Sequence, residues 1–95
     1  MWKLCKIANG NYSCDNSELE SKNIINVITH LQERFNIEND NRFAASLDGV
    51  YMDARIAGEK MTIGWDCWSG VFIMPKNKSG NSVVKAVFEF LEQDK

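Results

Sequence analysis

A general base, a nucleophile or a metal site needs histidine, cysteine or carboxylate at particular spacings, and this chain offers few of them. Its one histidine, His30, falls about 200° around a helical wheel from Ile28. That puts it off the apolar stripe of its own helix, where a solvated role fits better than a catalytic one, since a general base needs a cleft and an orienting partner. Cys5, Cys14 and Cys67 are odd in number and form no C-x-x-C pair. A disulfide scaffold or a structural zinc site is therefore disfavoured, although spacing alone leaves a Cys5–Cys14 bridge open. No local signature makes Cys67 a nucleophile. Asp53, Asp66 and the pair Glu38 and Asp40 lack the spaced oxygen ligands of a calcium loop. Asp53 and Asp66 lie on successive strands with outward parity and could stand close enough for a glycosidase pair, but Arg55 shares their face and no aromatic cleft accompanies them. The glycines at 64, 70 and 80 match no phosphate-binding pattern, and NKSGNS at 77–82 reads as a helix cap. No catalytic residue, metal or cofactor is expected.

The aromatic residues carry more information. Residues 61–74, MTIGWDCWSGVFIM, set Trp65 and Trp68 around a short polar turn between two apolar runs. Trp65 follows the inward parity of its strand and is expected under the helices. Trp68 sits at the turn, either folded over the end of the core or exposed as an anchor. Asp66 and Ser69 are placed to close the turn by bonding to backbone N–H groups. A rigid turn that displays an indole beside a carboxylate is good recognition chemistry, because tryptophan is enriched among binding hot spots.

The elements that must position this turn follow from periodicity. Residues 2–8 alternate loosely and suggest a short strand, and 9–16 (NGNYSCDN) is loop chemistry. Ser17 with Glu20 reads as a capping box. Ile24, Val27, Ile28, Leu31 and Phe35 then make an apolar stripe for a helix over 18–35. Residues 38–41 are an acidic loop. Four strands follow, at 42–47, 50–57, 61–66 and 71–74, with Asp48-Gly49 as a type I′ hairpin turn and Gly58 in the next turn. Residues 83–92 form a second amphipathic helix. The order β-α-β-β-β-β-α predicts an α+β fold: an antiparallel meander with two amphipathic helices on one face, burying Val50, Met52, Ile56, Met61, Ile63 and Trp65. Tyr51, Asp53, Arg55 and Thr62 would lie on the other, wet face.

Ninety-five residues form a single domain, 1–95, with room for one core. Eleven basic residues interspersed among thirteen acidic ones give a net charge of −2, which argues against nucleic acid and against an anionic membrane surface. The N-terminus lacks the apolar segment of a secretory signal and no run is long enough to span a membrane, so a cytoplasmic protein is expected.

The segment G-W-D-x-W-S-G followed by an apolar strand, at 64–74, resembles one found in small bacterial immunity proteins of contact-dependent and polymorphic toxin systems. It covers about a tenth of the chain. The resemblance implies an enzymatically inert, cytosolic protein that neutralises a cognate toxin domain by tight binding. It transfers no partner identity, and attaches suspicion only to Asp66 and Trp68. Many such toxins are basic nucleases, and a mildly acidic inhibitor gains association rate from complementary charge. The acidic candidates are Glu38, Asp40, Asp48, Asp53 and Asp66, with Arg55 on the same face and Tyr51 and Trp68 as aromatic anchors. Such a module would present a flat or convex surface. The alternatives are a small enzyme or ligand-binding protein using Tyr51, Asp53 and Arg55 or the Cys67 thiol, and a homodimer formed through a sheet edge.

Overall fold

A computed structural model describes residues 1–7, 9–39, 42–46 and 48–93 of the chain. Among them are seven strands in one antiparallel sheet and two helices: β1 (Lys3–Lys6), β2 (Tyr12–Asn16), α1 (Ile24–Leu31), β3 (Ile37–Asn39), β4 (Ala44–Ala45), β5 (Gly49–Ile56), β6 (Glu59–Asp66), β7 (Gly70–Pro75) and α2 (Asn81–Gln93). The strand order is β1-β2-β7-β6-β5-β3, with β4 also paired to β5. The expected α+β architecture is present, and β5, β6 and β7 form the expected meander.

Period-two alternation decides which side chains meet the helices. Met52, Ala54 and Ile56 of β5, Met61 and Ile63 of β6, and Val71 and Ile73 of β7 are buried with Cys14 of β2. They pack against Ile24, Val27, Ile28 and Leu31 of α1 and Val84, Val87 and Leu91 of α2. Trp65 packs on this core from the side its parity predicts, but is half-buried where burial is expected. Val50, expected inside, is only half-buried, because its partner in register is Trp65, near the end of the sheet.

Four local expectations fail for identifiable reasons. Residues 12–16, read as loop, form β2, which pairs with both β1 and β7. Its polar Ser13 and Asp15 alternate with Tyr12 and Cys14, a strand pattern masked by Asn and Cys. Residues 37–39, at the start of the supposed acidic loop, form the edge strand β3 against β5. The first helix spans only Ile24–Leu31, because a 3-10 turn at Ser21–Asn23 precedes it and turns follow it. The capping box belongs to that 3-10 turn and joins Glu20 to Asn23, not Ser17 to Glu20, and Asn16 Oδ1 instead accepts the Glu18 N–H at 3.0 Å.

The fourth concerns the turns. Gly49 lies in β5 without a positive φ, and the Ser46 N–H donates to its carbonyl at 2.8 Å. It must still be glycine, because a Cβ there would collide with the Trp65 carbonyl oxygen of the paired strand. The two-residue turn with left-handed backbone at both positions is Ala57-Gly58, φ 52° and 83°.

Candidate functional site

Register sorts the outer face of the sheet. Ser13 and Asp15 of β2, Phe72 and Met74 of β7, Thr62, Gly64 and Asp66 of β6, and Tyr51, Asp53 and Arg55 of β5 all point away from the helices. This face is neither flat nor uniformly wet, contrary to expectation. Phe72 is only 5% exposed although no helix covers it. Its ring lies against Tyr51, centroids 5.9 Å apart and planes tilted 53°. Gly64 makes room for it, since a Cβ there would stand 3.0 Å from the Phe72 ring.

Around Phe72 lies a concavity of about 280 Å³ lined by Ile7, Ser13, Asp15, Tyr51, Thr62, Asp66, Ser69, Phe72 and Met74. Among the described residues its charged lining is two carboxylates and no cation. Burial pushes the Asp15 carboxyl above the ordinary value for an aspartate; the Ser13 hydroxyl, which donates to Asp15 Oδ1, pulls it back, and the negative charge of Asp66 raises it further. Asp66 has the expected second task. Its Oδ1 accepts the N–H groups of Trp68 at 3.0 Å and Ser69 at 2.6 Å, and the Cys67 N–H reaches the Asp48 carbonyl at 3.1 Å. The turn is thereby pinned at both ends, and the open alternative resolves: Trp68 stands 73% exposed. Tyr51 also lines a neighbouring hollow with Arg42, Phe43, Ala44 and Asp53.

The other end of the face is built differently. Glu38, Asn39, Asp53, Ala54, Arg55, Lys60 and Lys76 line a hollow of about 460 Å³. Lys76 Nζ stands 2.8 Å from Asp53 Oδ1, and Glu38 is directly opposite Arg55 in register. Asp53 and Asp66 do not meet: Asp66 pairs with Gly49, four residues along β5 from Asp53. That is about 13 Å at strand rise, beyond the separation of roughly 5–9.5 Å that a glycosidase pair requires. Of the remaining acidic candidates, Asp48 is exposed beside the Trp68 turn, and Asp40 lies outside the described residues.

The histidine and the thiols are placed away from this face or committed elsewhere. His30 is half-buried, not solvated: its ring stacks on Phe90 of α2 at 4.8 Å, and Nδ1 lies 3.5 Å from Glu33. Cys5 and Cys14 point to opposite faces of the sheet and are free thiols. Burial pushes the Cys14 thiol up to about 12, so it stays protonated and inert. Cys67 is exposed on the turn. Among the described residues no three metal-ligating side chains cluster, and no helix is long and apolar enough to cross a membrane.

Sequence reasoning missed Asp15 and Phe72. The signal for Phe72 was present: a continuous apolar run in a strand covered on one face must turn alternate residues outward. The chain matches no family model, no curated protein and no solved structure.

Proposed function

We propose that this chain is a non-enzymatic protein-binding module, an immunity protein of the cytoplasm that neutralises a cognate toxin domain by holding it on the Trp68 end of the outer sheet face. One observation carries this. A tryptophan 73% exposed is fixed to a turn whose backbone N–H groups donate three hydrogen bonds, two to Asp66 Oδ1 and one to the Asp48 carbonyl. An exposed indole on a rigid support loses little conformational freedom on binding and contributes a large apolar area, the profile of a hot spot. Three of the groups that could do chemistry are engaged: Asp53 in an ion pair, Asp66 in the turn, His30 in a ring stack. A basic toxin domain, such as a nuclease, suits a surface that carries Asp15, Asp48 and Asp66 together.

A homodimer through the free edge of β1 is disfavoured by Lys3 and Lys6, exposed charges of the kind that guard sheet edges. A small-ligand protein remains the second reading, favoured by the raised Asp15 carboxyl in its concavity.

The test is to mix the protein with the toxin domain encoded beside it, and to measure co-elution and toxin activity. A one-to-one complex with the toxin silenced is expected. Separate elution with undiminished toxicity would refute the immunity assignment.

A further inference from the structure

We propose that the concavity over Phe72 is a receptor for one arginine side chain of the protein partner, its guanidinium lying between Asp15 and Asp66. The inference deepens the protein-binding reading and rests on it.

The hollow has an apolar floor and an acidic rim. Tyr51, Ile7 and Met74 offer ring and aliphatic surface over a nearly buried Phe72, while Asp15 and Asp66 supply negative charge with no lysine or arginine in the lining among the described residues. That distinguishes it from the hollow at the other end of the face, where Arg55, Lys60 and Lys76 offset Glu38 and Asp53. Each carboxylate uses Oδ1 internally, Asp15 for the Ser13 hydroxyl and Asp66 for the turn N–H groups. Those bonds fix both groups in place, and the second oxygens are the acceptors offered to a visitor. A half-buried carboxylate facing another acid is costly until a cation arrives, and burial has already removed part of its hydration.

Size and chemistry select the visitor. At about 280 Å³ the hollow lies just below the range of roughly 300–1,000 Å³ for small-molecule sites, and suits a single side chain. Arginine fits better than lysine, because its planar guanidinium stacks on aromatic faces and can hydrogen-bond two carboxylates at once. Trp68 belongs to the turn that contributes Asp66 and Ser69 to the lining, so a partner surface delivering the arginine would meet its exposed indole.

The probe is N-acetyl-arginine methylamide, titrated into isotopically labelled protein and followed by amide shifts, with the lysine and citrulline analogues in parallel. Saturable shifts confined to Ser13, Asp15, Thr62, Ser69, Phe72 and Met74 are expected, with a Kd of about 1–10 mM for a single contact. The lysine analogue should bind more weakly and the neutral citrulline should give no saturation. Asp15→Asn should abolish saturation while its spectrum stays dispersed, and Asp66→Asn, which keeps an acceptor for the turn, should weaken it. Equal shifts with citrulline, shifts scattered over every acidic patch, or indifference to Asp15→Asn would overturn the pocket. If a toxin domain binds tightly yet Asp15→Asn and Asp66→Asn do not weaken the complex, the arginine receptor fails and the binding module stands. If the arginine probe saturates the hollow but no toxin domain binds, the assignment to a partner's side chain fails with the module.

Discussion

The outer sheet face has two ends made from similar residue types, and they behave differently. At one, acids face lysines and an arginine: Asp53 pairs with Lys76 at 2.8 Å and Glu38 opposes Arg55. At the other, Asp15 and Asp66 share a hollow with Phe72 and Tyr51 and no cation lines it. Self-neutralised charge has little left for a partner, and exposed pairs of this kind contribute little to stability. Carboxylates held beside aromatic surface without a counter-charge are an unfinished interaction. A protein keeps such an arrangement against the interest of its own stability where binding completes it.

The largest expected effect tests whether the aromatic end is truly packed. Phe72→Ala should cost about 2–4 kcal/mol, a loss typical of buried aromatics, and lower the Tm by several degrees in calorimetry. A loss near zero would make this end as wet as the other. Next, Trp68→Ala should weaken a toxin complex by at least about 30-fold, the cost of a hot-spot residue, while changing folding stability by less than about 0.5 kcal/mol. Denaturant titration and calorimetric binding would separate the two. Asp66→Ala should destabilise by about 1–2 kcal/mol through two turn N–H groups left without their acceptor, and Asp66→Asn should recover most of it. At the ion-paired end, Lys76→Ala should cost less than about 1 kcal/mol, shrinking further in high salt. An equal loss at Lys76 and Asp66 would erase the contrast between the ends.

Asp15 gives the smallest effect and the sharpest sign. Its folded-state carboxyl is raised above the ordinary value of 3.8, so the folded state holds that proton more tightly than the unfolded chain. Its penalty is absent below the unfolded value, grows as pH rises towards the folded one, and is constant above it. Asp15→Asn should therefore match the wild type in strong acid and be equally or more stable at neutral pH, in thermal melts across pH. A variant less stable at neutral pH would mean that the carboxylate supports the fold.

Much of the fold was legible because its determinants are local. Period-two runs at 50–56 and 61–65 set β5 and β6, and the stripe from Ile24 to Leu31 set α1. The ends of α1 were not legible, since Ser17 and Glu20 offered a plausible cap while Asn16 and Asn23 won through contacts that depend on where β2 stops. Strand β2 was hidden because Asn, Ser and Cys carry weak β preference, and its place is fixed by pairing to β7, some 57 residues away. The site was half legible. Asp66 and Trp68 declared themselves by turn chemistry, which is local. Asp15 joins Asp66 only through a three-strand register, and no spacing in the sequence encodes that.

The most direct test is calorimetric titration of the product of the neighbouring gene against wild type, Trp68→Ala, Asp15→Asn and Arg55→Ala. Nanomolar binding is predicted for the wild type and Arg55→Ala, with Trp68→Ala weakened by at least about 30-fold and Asp15→Asn by at least about tenfold, 1.4 kcal/mol. Binding that survives at both aromatic-end variants but fails at Arg55→Ala, or no binding at all, would contradict the account.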